Sequence, residues 1–258
     1  MTGPAAARLL DLLAARHGLV CVVGAGGKKT TLYRLVEAHL AARTARIGLT
    51  CTVAMAPPPA WLGEPVIAEG EELRRAFDQL ERERRLVVYA HPSPKPGRVG
   101  GVPPEVLARL HDEGGFAVTL VKADGARMRW IKAPAAGEPV LPPGVTTVLP
   151  LVSAKAFGQP LTDLVAHRLE RVVAVTGARP GEPVTPEHVA RLLTCEMGAL
   201  QGVGRATVVP VINMVDDQAK REAARAAARQ ALASSSRVAR IVLASMTAFD
   251  PVIEVVTP

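Results

Sequence analysis

The stretch Leu19-Val20-Cys21-Val22-Val23-Gly24-Ala25-Gly26-Gly27-Lys28-Lys29-Thr30-Thr31-Leu32 decides how the rest of the chain is read. Five consecutive apolar residues without polar alternation mark a strand buried on both faces. A glycine-rich turn follows at once, and Leu32, Leu35, Val36 and Leu40 then recur at helical spacing, predicting an amphipathic helix to about residue 42. Glycines allow a concave backbone whose N–H groups point inward together, and the helix behind them presents its positive end to an anion. A lysine then reaches the β and γ phosphates, and a Ser/Thr hydroxyl ligates Mg²⁺. Gly24, Ala25, Gly26, Gly27, Lys28, Lys29, Thr30 and Thr31 are therefore the candidate phosphate loop, with Thr30 as a metal ligand. The spacing is shorter than the common G-x-x-x-x-G-K-[ST], and which of Lys28 and Lys29 contacts the phosphates stays open. An ordinary turn with surface lysines is the alternative. Only 7 of the 31 basic residues are lysines, so two adjacent ones in a glycine turn favour the phosphate reading.

Outward from that turn, strand and helix patterns alternate. Residues 1–16 read as a leading helix, and strands are expected at 46–52, 86–89, 116–121, 146–152, 171–176, 207–212 and 238–243. Helices are expected at 70–84, 104–112, 186–194 and 217–232. This alternation predicts one α/β domain over 1–258: a three-layer, P-loop NTPase-like fold with a mainly parallel sheet and helices on both faces. Two segments, 91–104 and 125–145, are expected to be active-site loops, because open α/β sheets place ligand loops at strand ends.

Composition narrows the class. Apolar residues make up 48% of the 258, enough for a large core without metals or disulfides. The net charge of +7 invites a nucleic-acid reading, but the basic residues are scattered and lack interleaved aromatics, so no nucleic-acid partner is expected. The mixed-sign stretch Glu81–Arg85 reads as a solvated helix end. Cys21, Cys51 and Cys195 form no C-x-x-C pair, which fits free thiols in a reducing compartment. No leader pattern opens the chain and no apolar run has the ~20 residues of a membrane span, so a cytoplasmic protein is expected.

Two further motifs follow predicted strands. Asp124, in Lys122-Ala123-Asp124-Gly125-Ala126-Arg127, is placed like the acid that holds Mg²⁺ in P-loop enzymes. An Asp-Gly turn is the alternative. Asn213-Met214-Val215-Asp216 resembles the base-reading element of GTPases, with Met214 where a lysine is usual. Here the alternative is that Asp216 or Asp217 caps the helix. Lys122, Arg127, Arg129 and Lys132 surround Asp124 in sequence, and such cations can neutralise the charge of phosphoryl transfer or clamp an anionic substrate. They can equally be solvated loop charges. His167 is a candidate proton shuttle and Glu138 a candidate water-positioning acid. Cys51 follows the second strand, where a thiol can carry selenium or sulfur or simply pack.

Taken together, Gly24–Thr31, Lys122–Arg127, Lys132-Ala133-Pro134, Glu138–Pro142, Phe157–Leu161 and His167-Arg168 resemble the YqeC family in order and spacing, over about residues 18–245. That resemblance implies a P-loop nucleotide-binding accessory protein of selenium-dependent molybdenum hydroxylases, with the enzyme or its cofactor as client. It implies phosphate binding by the glycine loop, magnesium at Asp124, and a site lined by Arg127, Lys132, Glu138, His167 and Arg168. The chain departs from the family at Lys122, where Glu is usual, and at Met214. The reading that results is an Mg²⁺-dependent ATP or GTP hydrolase. In it Asp124, Arg127 and Lys132 are catalytic, Asn213 and Asp216 read the base, and Arg98, Glu138, His167 and Arg168 bind substrate. Two alternatives stand beside it: a phosphotransferase or nucleotidyltransferase acting on a small anionic cofactor, and a nucleotide-regulated chaperone without catalysis.

Overall fold

The computed structural model describes residues 3–80 and 84–258, so residues 81–83 of the mixed-sign stretch lie outside the described residues. In chain order the helices are α1 (Gly3–Leu12), α2 (Lys28–Ala41), α3 (Gly70–Gln79), α4 (Pro104–Glu113), α5 (Leu169–Thr176), α6 (Pro186–Thr194) and α7 (Gln218–Ser234). The strands of the first half are β1 (Gly18–Gly24), β2 (Ile47–Cys51), β3 (Val66–Ile67), β4 (Leu86–Ala90), β5 (Val118–Lys122) and β6 (Ile131–Lys132). Those of the second half are β7 (Val145–Ser153), β8 (Ala166–His167), β9 (Thr207–Val208), β10 (Val211–Asn213), β11 (Ile241–Ala244) and β12 (Val252–Val256).

Ten strands form one sheet in the order β12-β11-β10-β7-β1-β5-β2-β4-β3, with β9 paired to β7. Every pairing is parallel except β11 with β12. Such a sheet must be covered on both faces, and it is. Alternate residues divide between the two cores: Cys21 and Val23 face α3 to α7, whereas Val20 and Val22 face α1 and α2. Leu9, Leu10, Leu32 and Leu35 are at most 1% exposed, and each buried leucine contributes about 1.5–3 kcal/mol. The architecture is the predicted three-layer α/β fold.

Four local readings are corrected. Residues 171–176 lie in a helix, α5, rather than a strand; Val172 and Thr176 point inward one turn apart, and a short apolar run does not by itself separate the two conformations. The predicted strand 207–212 is split into β9 and β10 around Pro210, which has no N–H to give the ladder. The leading helix stops at Leu12, because Ala14 turns left-handed with φ 49°. Pro104 already belongs to α4, and the segment 125–145 contains β6 and the first residue of β7. Strand β12, the antiparallel edge, and the separate pair β6–β8 were not expected from the sequence.

Candidate nucleotide site

The two strands hydrogen-bonded to β1, β5 and β7, bring Asp124 and Ser153 beside the glycine turn. Gly24 has φ 82° and its N–H donates to Asp124 Oδ2 at 2.9 Å. A Cβ on Gly24 would lie 2.3 Å from Leu151 O, so the loop runs against β7 too closely for any side chain. Gly27, φ 105°, caps α2 without a side-chain bond, and a Cβ there would meet Asn213 Nδ2 at 2.4 Å. Thr31 N–H is bonded to Gly27 O, so the N–H groups before it are the ones a helix start leaves for an anion.

Lys28 and Lys29 differ sharply. Lys28 is buried; its Nζ donates to Gly24 O and stands 3.0 Å from Asp124 Oδ1, in ion-pair but not hydrogen-bond geometry. Burial lowers its pKa, with Asp124 opposing. Lys29 is exposed. Thr30 is half-buried on the first turn, and Thr31 folds its hydroxyl back to Gly27 O at 3.1 Å.

Asp124 is 2% exposed and central to the polar network. Lys132 Nζ donates to its Oδ2 at 2.8 Å and to Gly125 O at 2.7 Å, and lies 2.6 Å from Glu138 Oε2. Arg168 grips Glu138 with two bonds of 2.7 and 2.8 Å. Burial works against the Glu138 carboxylate, but its bonds to Arg168 and Lys132 outweigh burial and hold its pKa down at about 2. His167 pairs with Lys132 across β6–β8, and burial together with the Arg168, Lys132 and Arg127 charges lowers its pKa. Its imidazole is therefore neutral near pH 7.

The remaining predicted residues are distributed as follows. Arg127 is exposed on a turn, and its charge reaches His167. Arg98 sits on an exposed turn, and among the described residues no side-chain bond ties it to this cluster. Asn213 is 2% exposed; its Nδ2 donates to Gly26 O at 2.9 Å and its Oδ1 accepts from Met246 N at 3.0 Å. Asn213 thus fastens the glycine loop to the segment after β11. Asp216 is exposed and accepts from Ser245 Oγ at 2.8 Å, while the cap of α7 is Asp217, bonded to Lys220 N at 2.8 Å.

Two participants, Gln201 and Ser245, were not singled out from sequence. Gln201 Nε2 donates to Ala135 O at 2.7 Å and to Glu138 O, bracing the loop that carries Glu138. Ser245 orients Asp216. Lys122, read from sequence as one cation of four and as a departure from the family, is 8% exposed and has no hydrogen bond or ion pair among the described residues. Burial, then the neighbouring Lys28, lowers its pKa to about 8.

A single buried carboxylate beside a glycine cradle suits Mg²⁺, which is held through one or two carboxylates together with phosphate oxygens and water. Among the described residues no three His, Cys, Asp or Glu side chains group as a metal site, and no helix is long and apolar enough to cross a membrane.

The model of the YqeC protein family matches residues 20–170, more than half the chain. The uncharacterized protein YqeC of Escherichia coli (strain K12) is 28% identical over 189 residues, covering 73% of this chain and 72% of that protein. Among solved structures, the hydrogenase maturation factor HypB from Archaeoglobus fulgidus aligns with a TM-score of 0.39 at 14% identity, over 94% of this chain and 89% of the other.

Proposed function

The chain belongs to the YqeC family, and from that premise we propose that it is an Mg²⁺-dependent nucleoside triphosphate-binding protein and slow hydrolase. The same reading gives it a place in the maturation of selenium-dependent molybdenum hydroxylases, as the family resemblance implies. The observation that carries the nucleotide reading is the contact of the glycine loop with Asp124: Gly24 N–H bonds one carboxylate oxygen and Lys28 stands against the other. The loop, one buried lysine and one acid converge, and the loop packs on Leu151 and Asn213 too closely for a side chain at Gly24 or Gly27.

Each residue then has a task. The free N–H groups at the start of α2 and the Lys28 ammonium cradle the phosphates, with Lys28 leaving Gly24 O to do so. Asp124 would hold magnesium through its shell, with Thr30 the nearest hydroxyl in sequence; the ion would supply charge neutralisation at the terminal phosphates. Lys132 holds Asp124 in place. Arg127, on a turn beside the cluster, is the cation available to the transferring group. Asp216 accepts hydrogen bonds only, and with one oxygen held by Ser245 it suits a base edge with adjacent N–H donors, guanine rather than adenine.

Calorimetric titration of Mg-GTP and Mg-ATP tests this. GTP is expected to bind tighter than ATP. Lys28→Ala is expected to weaken binding by about 10–100-fold, the worth of a hydrogen bond to a charged group. Lys29→Ala is expected to change it little. A folded wild type that binds neither nucleotide overturns the reading.

A further inference from the structure

The polar network holds two more cations than carboxylates: Lys28, Lys122, Lys132 and Arg168 face Asp124 and Glu138. Lys28, Lys132 and Arg168 each have a carboxylate partner. Lys122 has none within hydrogen-bond or ion-pair distance among the described residues, Asp124 acting on it only from farther off, although lysines this deeply buried are normally paired. It sits at the last register of β5, opposite Cys51 of β2, and both face the α2 side of the sheet. Tyr33, on α2, has a buried hydroxyl without a hydrogen-bond partner among the described residues.

Three loops are tied together around this point. Thr52 N–H donates to Lys122 O, and Thr52 Oγ1 donates to Val140 O at 2.7 Å. Cys51 Sγ lies 3.5 Å from Gly100 O, and Val102 N–H donates to Cys51 O. A Cβ on Gly101 would lie 2.2 Å from Thr52 O, so the 91–101 loop is pressed directly on the end of β2. The loops after β2, β4 and β6 thus meet at the end of β2, beside the main chain of Lys122.

The sheet order sets the direction. Asp216 follows β10, two strands from β1 on one side; Lys122 and Cys51 lie on β5 and β2, on the other. A nucleotide held by the glycine loop with its base at Asp216 would direct its terminal phosphate toward β5 and β2.

We infer that Lys122, at the strand end where the Thr52, Gly101 and Val140 loops meet, is the anchor of a second anion subsite, which takes the phosphate-type oxyanion of a small second substrate beyond the end of the nucleotide. The position of that substrate as an acceptor rests on the nucleotide reading; the existence of the subsite does not.

Thermal melts of the full chain with inorganic phosphate, with and without a saturating non-hydrolysable Mg-nucleotide analogue, test it. Phosphate is expected to raise the wild-type melting temperature in both conditions. Lys122→Met, which removes a desolvated charge, is expected to melt higher than wild type without anion and to lose the phosphate response that persists once nucleotide fills the glycine loop. Its nucleotide affinity is expected to stay within about threefold, well under the tenfold that 1.4 kcal/mol represents. Where Met does not fold, Lys122→Gln serves the same comparison.

A wild type indifferent to phosphate overturns the inference whatever the variants do. So does a phosphate response that vanishes once nucleotide is bound, or a loss of nucleotide affinity of about tenfold in the variant, since Lys122 would then serve the nucleotide itself. If the wild type binds no nucleotide while Lys122→Met abolishes the phosphate response, the nucleotide reading falls and the subsite stands.

Discussion

Glu138 illustrates how one side chain organises the site without touching the phosphate loop. Its carboxylate is shared by Lys132 and Arg168, and its main-chain oxygen is held by Gln201. Lys132 in turn reaches Asp124, so Glu138 positions the central acid through one intermediary. Folding lowers the Glu138 pKa from 4.5 to about 2. A carboxylate shifted this way contributes stability that is fully present above the unfolded value and is lost as pH falls through the folded one. The expected outcome is that Glu138→Gln melts below wild type near neutral pH and that the gap closes between pH 4.5 and about 2. Melting curves across that range check it; a gap independent of pH would show that the carboxylate charge is not what stabilises.

At the element scale, the connection from β5 to β6 is, among the described residues, the one with two successive non-glycine residues in the left-handed region. Arg129 N–H donates to Ala126 O at 2.8 Å, closing a tight turn whose two central residues, Arg127 and Met128, have φ of 45° and 62°. Two left-handed residues in succession call for Asn-Gly, not Arg-Met. Met128 is also 96% exposed, so packing does not offset the strain. Replacing Arg127-Met128 by Asn-Gly is therefore expected to raise stability by about 1–3 kcal/mol, measured by urea denaturation. The same change removes the Arg127 guanidinium, so turnover is expected to fall while stability rises. Helix α5 teaches a related lesson: its valines favour strand locally, and only packing of Val172 and Thr176 beneath it selects the helix.

At the scale of the molecule, the glycine loop joins most of the sheet. Gly24 is bonded to Asp124 after β5, Ala25 to Leu151 of β7, and Gly26 to Asn213 of β10, which also holds Met246 after β11. A ligand that orders this loop acts on strands from β5 to β11 together. At a nucleotide concentration 100 times Kd the linkage is worth about 2.7 kcal/mol, or about 5–10 °C in melting temperature for a chain of this size. Wild type is expected to show that rise with Mg-GTP in a thermal melt, and Lys28→Ala to show about a sixth to a half of it at the same concentration.

The primary structure alone determined the run from Leu19 to Thr31, the α/β alternation and the placement of Asp124 after a buried strand. These rest on short-range patterns: an unbroken apolar run, glycines where a backbone must bend, and apolar residues at helical spacing. Tertiary structure decided what depends on partners far apart in the chain. Lys28 rather than Lys29 faces Asp124 because the helix start turns one inward and its neighbour outward. Asn213 is occupied by Gly26 O, 187 residues away. Lys122 could have been a solvated loop charge until the sheet buried it opposite Cys51, with no hydrogen bond or ion pair among the described residues. Burial and pairing are properties of the packed molecule, and a linear pattern carries neither.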